Sequence, residues 1–556
     1  MVTGGDKDTI PPEFVSSIPY NQSLNYKGTE IVLTFNERVQ APQLKRKLLI
    51  TPFTDTPYKL KINKNVVQLT FDESFSDSTT YTLNFADAIT DVTENNPAQK
   101  VSIAFSTWHI IDSLTIFGKI VDLMTNQPVD AAAVSVYQAN DTLDIFSGKP
   151  YYFAFTDEQG QFSIQNMKGG YYRIYAFKDE NSNYLNESAS EAHGFIPDTL
   201  LIEDISDSLR IGLILQDVQE LKFVNTRSNG NHFDVRYNKY IESYTVQTMD
   251  TLINPFLSIL SEDQQSIRFY NKTFNTEDSI GYFINVSDSI GNNQLDTVYI
   301  KFTDREIKKE EFNVFISPGT RSKINEEVYV KINFNKPVLS LNKDSIWAEY
   351  DTLRSVRIDS ISQSEWNWNR SSFQMTVQLE KNYLRDTLEK YKTIQDSLNL
   401  LNPIDTASVD SLEITEPPKK INPDQVSLVF GKGAFISIEN DSSKSVRHDY
   451  TFRDPEKFGI ISGQIEIDSI HFIVQLINDK YEIIREIANQ KNYLFDFVPA
   501  GKYNIRVLVD TNNNGVWSYG NIMEGIKPEE VYFHPTFIEL RENWEINEIN
   551  LTIDRL

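Results

Sequence analysis

Three Asx residues near the C-terminus have the spacing of a calcium-binding loop. Asp510, Asn512 and Asn514 stand at alternate positions and Gly515 follows them, as at the start of an EF-hand loop. The twelfth loop position would be Asn521, where an EF-hand has a bidentate glutamate. Two interpretations stay open: a structural calcium site, or a turn in which Asx side chains cap their own backbone.

A second cluster with the same spacing favours the turn. Asp179, Asn181 and Asn183 lie near the end of 154–188, as the first cluster lies near the end of 493–521. In both segments a strand, a glycine-containing turn and another strand come before the cluster. A strand exit at that place needs residues that tolerate left-handed backbone, and Asx residues do so.

Tryptophan side chains offer a different chemistry. Trp366 and Trp368 are two residues apart, so a strand would place both rings on one face. Such a pair can stack on a sugar, and it can also form part of a sandwich core or an interface. Trp517 has the same two interpretations. These three residues are the predicted ligand-stacking residues of a glycan-binding function.

Motifs for catalysis are missing from the sequence. The six histidines form no H-E-x-x-H or H-x-H pair, and no G-x-S-x-G elbow or G-x-x-x-x-G-K-[ST] loop occurs. Cysteine is absent, which excludes disulfides, thiolate metal sites and a cysteine nucleophile. We therefore predict a protein that is not an enzyme, with no catalytic residues and no cofactor other than the calcium considered above.

The charge balance argues against a further class of partner. The 78 acidic and 53 basic residues give a formal net charge of −25 at pH 7. Such a field repels phosphate backbones, so nucleic acid is not an expected partner. No apolar stretch reaches the roughly 18 residues of a membrane-spanning helix, so the sequence predicts no transmembrane segment.

One segment departs from the β pattern of the rest. Residues 384–401 carry apolar side chains at three- and four-residue intervals, which predicts one amphipathic helix. Residues 402–425 then have the composition of a flexible loop with polyproline character. The helix either packs on its own domain or docks a protein partner, since long insertions into compact domains are often functional. The candidate partner-binding residues are Leu388, Tyr391, Ile394, Leu398 and Leu401.

Short runs of alternating apolar and polar residues, ending at Asn, Asp or Gly, make up most of the chain. This period of two is typical of half-buried antiparallel strands. One arrangement of runs occurs three times, in 30–107, 233–304 and 328–454, and another occurs twice, in 114–188 and 458–521. The sequence therefore predicts an all-β protein, an elongated tandem of β-sandwiches with one inserted amphipathic helix.

The N-terminal part resembles a known family. "TGGDKDTIPP" (3–12), "IVLTFNERVQ" (31–40) and "YTLNFADAITDVTENNP" (81–97) are similar to the start of a family of Bacteroidota envelope lipoproteins, which begins with an SbsA-type Ig-like domain. "GKIVDLMTNQPVDAAAVSVY" (118–137) resembles the prealbumin-like sandwich of the carboxypeptidase-regulatory type. The likeness is close over 3–215 and looser after it.

The repeats and this resemblance predict six segments joined by short connectors. They are a linker that follows a lipid anchor (1–12), an Ig-like domain (13–109), a prealbumin-like sandwich (112–216), an Ig-like domain (217–304), an Ig-like domain carrying the insertion 384–425 (305–456) and a second prealbumin-like sandwich (457–556). Because few residues are spare between them, neighbouring sandwiches are expected to touch.

The resemblance implies an outer-membrane lipoprotein, anchored by acyl chains at its N-terminus. In the family a lipid-modified cysteine precedes the TGG motif, whereas Met1 and Val2 stand there in this sequence. We expect a non-catalytic scaffold or accessory subunit of an outer-membrane assembly or export complex, with an outer-membrane β-barrel protein complex as partner. The chain would be exposed at the cell surface or, alternatively, face the periplasm. The alternative function is direct binding of glycans or peptides for nutrient capture or adhesion.

Overall fold

The computed structural model describes residues 8–553, apart from residues 100 and 182 and seven internal stretches: 204–207, 272–278, 304–309, 351–354, 358–362, 382–423 and 469–470. The structure has 50% strand and 3% helix, which confirms the predicted all-β fold. The predicted helix 384–401, and most of the loop that follows it, lie outside the described residues. Within the described part, no helix is both long enough and apolar enough to cross a membrane.

The first sandwich packs a four-stranded sheet against a three-stranded sheet. The sheet orders are first-second-sixth-fifth and fourth-seventh-ninth strand, and the third strand pairs with the eighth. Its core runs from Ile31 to Phe105. The elements are β1 (Phe14–Ile18), β2 (Glu30–Phe35), β3 (Val39–Gln40), α1 (Leu44–Lys47), β4 (Leu49–Thr51), β5 (Tyr58–Asn63), β6 (Val66–Phe71), β7 (Thr80–Asn84), β8 (Thr90–Asp91) and β9 (Ser102–Ser106).

The second sandwich has a three-stranded and a five-stranded sheet around a core that runs from Ile116 to Leu213. Its strands are β10 (Leu114–Asp122), β11 (Ala133–Gln138), β12 (Tyr152–Phe155), β13 (Gln161–Met167), β14 (Gly170–Phe177), β15 (His193–Phe195), β16 (Leu200–Ile202) and β17 (Leu209–Leu213). The sheet orders are β13-β10-β17 and β12-β11-β14-β15, with β16 also paired to β14.

The third sandwich again joins four strands to three, around a core that runs from Leu221 to Phe302. Its strands are β18 (Phe223–Asn229), β19 (His232–Tyr237), β20 (Ser243–Thr248), β21 (Ser258–Leu260), β22 (Ser266–Tyr270), β23 (Ile280–Ser287) and β24 (Asn293–Ile300). The sheet orders are β18-β19-β22-β21 and β20-β23-β24.

The fourth sandwich has the core that runs from Phe312 to Phe452. Its elements are β25 (Val314–Ser317), β26 (Lys323–Ile324), β27 (Glu327–Phe334), β28 (Val338–Leu341), a 3-10 turn (Lys343–Ser345), β29 (Ile346–Glu349), β30 (Ser355–Arg357), β31 (Gln363–Trp366), β32 (Ser372–Gln378), β33 (Gln425–Phe430), β34 (Phe435–Ser437) and β35 (Val446–Phe452). The sheet orders are β25-β27-β32-β31 and β26-β35-β33-β29-β30, and β28 pairs with β34.

The fifth sandwich follows a 3-10 turn (Pro455–Lys457) and has the core that runs from Ile461 to Ile553. Its elements are β36 (Phe458–Glu466), β37 (Phe472–Asn478), β38 (Ile483–Ala488), β39 (Asn492–Pro499), β40 (Gly501–Val509), a 3-10 turn (Ile522–Glu524), β41 (Val531–Phe533), β42 (Ile538–Leu540), β43 (Glu545–Ile546) and β44 (Leu551–Thr552). The sheet orders are β39-β36-β43, with β44 on β36, and β38-β37-β40-β41, with β42 on β40.

The sheet orders repeat as the sequence patterns do. The first, third and fourth sandwiches each have a four-stranded sheet with the first strand of the sandwich at one edge. Two consecutive strands in reverse order form its other half: β6-β5, β22-β21 and β32-β31. The second and fifth share another arrangement, in which the opening strand pairs in parallel with the closing strands: β10 with β17, and β36 with β43 and β44. Two kinds of unit, used three times and twice, therefore build the described part of the chain.

Strand β27 shows how the sequence pattern produces these sheets. Val328, Val330, Ile332 and Phe334 point to the core and are buried, while the residues between them are exposed. This alternation follows from the two-residue repeat of a strand. Burying each such side chain contributes about 1.5–3 kcal/mol relative to leaving it in water. A charged residue at Val330, which pairs with Met375 of β32, would disrupt the core of the fourth sandwich.

Consecutive sandwiches are joined by specific contacts. Between the second and third, the connector is held on one side by the Val218 N–H, which donates to Ser188 Oγ of the second sandwich (3.3 Å). On the other side the buried ammonium of Lys239 donates to the Asp217 carbonyl of the connector (2.6 Å) and to the Asp288 carboxylate (2.8 Å). Between the third and fourth, Ile438 packs against Tyr270. A buried charge with several hydrogen-bond partners fixes one geometry, because an unpaired buried charge is costly.

The fifth sandwich also contacts the second, which the sequence did not predict. Ile522 is buried in a cluster with Tyr137 and other side chains of the second sandwich. Gln216 Nε2 donates to the Gly520 carbonyl at 2.7 Å, and buried Arg506 donates through Nη1 to the Met124 carbonyl at 2.7 Å. Between the fourth and fifth sandwiches, the Lys323 ammonium lies over the Phe458 ring at 5.3 Å from its centroid. The tandem therefore folds back on itself, and the second to fifth sandwiches form a closed circuit of contacts.

A buried carboxylate closes the loop after β8. Asp91 Oδ1 accepts hydrogen bonds from the main-chain N–H groups of Thr93, Glu94 and Asn95, and Oδ2 accepts from that of Asn96. Burial raises the pKa of Asp91, but these N–H groups outweigh it and hold the pKa below its usual range. The ionised form therefore stabilises the loop.

Replacing Asp91 with asparagine should expose this loop to solvent. An amide presents an NH2 group to one of the N–H donors, so Asp91→Asn should speed hydrogen exchange of residues 93–96 at neutral pH. Folding lowers the pKa of Asp91. The stabilisation that the ionised carboxylate gives the loop is therefore complete above the unfolded-state pKa of about 4, and it is lost as the pH falls through the lower folded-state pKa. The difference between wild type and variant should therefore shrink in acid, as measured by exchange mass spectrometry.

Asp87→Asn is the matched control, since Asp87 is a more exposed carboxylate that pairs with Lys47. It should leave exchange of 93–96 unchanged. Equal protection of the loop in wild type and Asp91→Asn at neutral pH would contradict the proposed role of the carboxylate.

Candidate functional site

The first Asx cluster is a loop closed by its own side chains. The buried Asp510 carboxylate accepts from the main-chain N–H groups of Asn514 (3.2 Å) and Gly515 (2.8 Å). Asn512 Oδ1 also accepts from the Asn514 N–H, and Asn514 Oδ1 accepts from that of Val516. This is the self-capping expected of an Asx turn.

A distant glutamate completes the same loop. Buried Glu529 accepts through Oε1 from the main-chain N–H groups of Thr511 (2.7 Å) and Asn512 (3.0 Å), and through Oε2 from that of Ser518 (2.8 Å). Asn521, the twelfth position of the calcium pattern, accepts from the Met523 N–H and caps a 3-10 turn. The Glu529 carboxylate thus accepts hydrogen bonds from the main chain of the loop, and Asn521 caps the 3-10 turn that follows the loop.

The second cluster has the same construction. Asp179 accepts from the N–H groups of Asn183 and Tyr184, as Asp510 accepts in the first loop. Buried Glu191 accepts from the N–H groups of Glu180 and Glu187, each at 2.9 Å, and so corresponds to Glu529. The sequence pattern identified the Asx residues of both loops but neither of the closing glutamates.

The second loop carries more negative charge than the first. Asn181 and Asn183 donate through their amides to the Glu187 carboxylate, at 2.9 and 2.7 Å. Burial raises the pKa of Glu191, and the Glu187 carboxylate beside it raises that pKa further. Within the described residues, no group of three or more histidine or carboxylate side chains has the arrangement of a metal site.

The first loop should need its carboxylate and not a metal. Asp510→Ala leaves the Gly515 N–H without an acceptor, while the Asn514 N–H keeps Asn512 Oδ1. A buried N–H group that loses its acceptor costs about 1–3 kcal/mol. We expect a lower melting temperature for the transition that contains the fifth sandwich, by calorimetry of the whole chain. Val516→Ala, at an exposed position of the same loop, is the control and should change little.

The melting temperature, measured by calorimetry, also tests the calcium interpretation of the first loop. The wild-type chain should melt at one temperature in millimolar calcium and in a chelator, since a ligand that binds only the folded state raises the melting temperature. A rise with calcium that Asp510→Ala abolishes would establish a metal site at Asp510, Asn512 and Asn514 and overturn the turn interpretation.

Trp366 and Trp368 do not share a face. Strand β31 ends at Trp366, and residues 367–370 form a turn, so the alternation that the prediction assumed stops between the two. The Trp366 ring packs on Phe334 (5.8 Å between centroids) and on the core. Trp368 is 60% exposed, and its ring meets Tyr244 of the third sandwich edge to face at 5.5 Å.

Trp517 lies in the fifth sandwich, far along the chain from the other two. It is half-buried, and its ring contacts Tyr519 edge to face at 5.1 Å. Of the three predicted stacking residues, Trp368 therefore offers the most open ring. The predicted partner-binding residues Leu388, Tyr391, Ile394, Leu398 and Leu401 lie outside the described residues.

An open groove of about 880 Å³ runs along the junction of the third and fourth sandwiches. Trp368 lines it together with side chains from both sandwiches, among them Tyr244, Phe315, Asn333, Asn369 and Ser371. A second groove, of about 720 Å³, lies between the first and second sandwiches and contains Phe153, Phe155 and Tyr184. Sequence reasoning found Trp368 but could not place it in a groove, because the opposite wall comes from another repeat.

Comparison with known proteins identifies the first sandwich. Residues 8–107 match the family model of the bacterial Ig-like domain. No curated protein matches the chain. The described fold is thus a tandem of β-sandwiches of which the first is a bacterial Ig-like domain.

Several solved structures align with the chain at low similarity. The S-layer protein SbsC (31–844) is 11% identical over 96% of this chain and 68% of its own, with a TM-score of 0.14. The SGBP-B protein of the Bacteroides ovatus mixed-linkage glucan utilization locus, in complex with a heptasaccharide, is 11% identical over 76% and 93%, with a TM-score of 0.16. BcpA, the major pilin subunit of Bacillus cereus, is 10% identical over 79% and 98%, with a TM-score of 0.12. Scores this low carry no argument about function.

Proposed function

We propose that this chain is a non-catalytic outer-membrane lipoprotein that serves as a scaffold or accessory subunit of an outer-membrane assembly or export complex. It would be anchored through an N-terminal lipid, exposed at the cell surface or alternatively on the periplasmic face, and joined to an outer-membrane β-barrel protein complex. It would need no cofactor. Lipidation and location rest on the resemblance of the N-terminal segments.

The contact between the second and fifth sandwiches is the observation that carries this proposal. A scaffold must hold distant surfaces at fixed separations, and a circuit of four sandwiches does so better than an open string. The contact combines a buried apolar side chain, Ile522, with hydrogen bonds from Gln216 and the buried Arg506 to main-chain carbonyls. Directional bonds from buried groups favour one relative placement.

The proposal is tested by isolating the chain with its partners from the native host. A C-terminal tag, gentle solubilisation of outer membranes and mass spectrometry should recover a stoichiometric β-barrel partner. Ile522→Asp places a charge in the contact and should reduce recovery of that partner several-fold. Met523→Asp adds the same charge at the next residue, which is 59% exposed, and should leave recovery unchanged.

Deleting residues 384–425 distinguishes the role of the contact between the second and fifth sandwiches from that of a docking element in the insertion. Loss of the partner on this deletion, with the sandwiches still folded, would assign docking to the insertion. Recovery of the wild-type chain alone, under conditions that keep other membrane complexes intact, would refute the scaffold function.

A second candidate is the surface binding of glycans or peptides, for nutrient capture or adhesion. The observation that favours it is the exposed ring of Trp368 in the groove between the third and fourth sandwiches. Large aromatic rings left in water are a common feature of ligand sites, where one face of the ring is later covered.

A further inference from the structure

The groove at the junction of the third and fourth sandwiches has the size of a ligand site. Its volume of about 880 Å³ falls in the range of roughly 300–1,000 Å³ that small-molecule sites occupy. Its walls come from different sandwiches: Tyr244 and Ile259 from the third, and Phe315, Asn333 and Trp368 from the fourth. Clefts between domains are frequent binding sites.

Two aromatic rings on the fourth sandwich are open to this groove. Trp368 is 60% exposed and Phe315 is 59% exposed, although burying such rings would be favourable. Trp368 is held by its edge-to-face contact with Tyr244. The face of an aromatic ring carries negative charge density and attracts partly positive C–H groups. The C–H face of a pyranose ring supplies such groups, while its hydroxyls remain free for hydrogen bonds.

The polar side chains of the groove are already held in place. Buried Asn369 accepts through Oδ1 from the Ser371 N–H (3.2 Å) and hydroxyl (2.7 Å). Asn333 Oδ1 accepts from the Ser372 hydroxyl at 2.9 Å. Amides fixed in this way lose little entropy when they bind a hydroxyl-rich ligand.

The charges of the groove exclude an acidic ligand. Arg268, the one basic residue that lines it within the described part, forms ion pairs with Asp234 (2.7 Å) and Glu310 (2.9 Å). Glu242 and Glu262 add negative charge to the wall. A sulfated, phosphorylated or uronic-acid glycan would therefore be repelled, because no unpaired cation is left to receive it.

We propose that the groove between the third and fourth sandwiches binds a neutral oligosaccharide of a few sugar units, with Trp368 and Phe315 as stacking platforms and Asn333, Asn369 and Ser371 as the hydrogen-bonding wall. The inference rests on glycan binding, the second function proposed above, and gives it a site and a class of ligand. The scaffold function does not depend on it.

The test uses the full chain and an array of neutral and acidic oligosaccharides, followed by calorimetric titration with the best binder. A neutral glycan should bind, and its uronic-acid counterpart should not. Trp368→Ala should weaken binding by about tenfold or more, since one aromatic contact of this kind is worth about one power of ten in affinity. Phe315→Ala, a second variant at an exposed ring, should weaken it in the same direction.

Trp108→Ala is the matched control, because Trp108 is 47% exposed and lies outside the residues that line the groove. Trp108→Ala should bind the glycan as the wild type does. The melting temperatures of Trp368→Ala, Phe315→Ala and Trp108→Ala should all lie within a few degrees of the wild-type value. Glycan binding that Trp368→Ala and Phe315→Ala leave unchanged would overturn this site while keeping the glycan-binding function. The absence of any binder on the array, neutral or acidic, would overturn both the site and the glycan-binding function. Preferential binding of acidic glycans would overturn the class of ligand assigned here.

Discussion

Main-chain N–H groups at strand exits have no partner in the sheet, and the fold depends on carboxylates that accept from them. Asp91, Asp288, Glu191 and Glu529 are all buried, and each accepts from at least two main-chain N–H groups of a loop. A buried N–H without an acceptor costs about 1–3 kcal/mol. Part of the acidic excess of the chain is therefore structural, since a neutral side chain would satisfy fewer donors at each of these places.

The same constraint separates what the sequence could predict from what it could not. The alternation in β27 and the Asx spacing of Asp510, Asn512 and Asn514 are local, so they predict strands and a self-capping turn without knowledge of the fold. Glu529 closes that turn from farther along the chain, after another turn has intervened, and no periodicity marks it. The tryptophan pair shows the opposite error: spacing predicted a common face, but the strand ends at Trp366 and the chain turns before Trp368.

Contacts between sandwiches were the least predictable level. Short connectors predict that neighbours in the chain touch, because there is no length with which to separate them. The contact of the fifth sandwich with the second uses Ile522, Gln216 and Arg506, which belong to no shared pattern. The hydrogen-bonded partners across it are 304 and 382 residues apart in the sequence. Single residues of this kind look like ordinary loop or strand residues until the tertiary structure brings them together.

The groove and the closed circuit depend on each other physically. The groove lies at the junction of the third and fourth sandwiches, and Ile438 and Tyr270 pack in an apolar cluster at the same junction. The loop that carries Ile438 is held by buried Lys336, which pairs with Glu439 (2.6 Å) and Asp441 (2.9 Å). Because the second and fifth sandwiches close the circuit around this junction, a change of its angle would have to strain the contacts of Ile522 and Arg506 as well. These contacts oppose a change in the width of the groove, and a cleft formed in advance would lower the entropy cost of binding the ligand proposed for it.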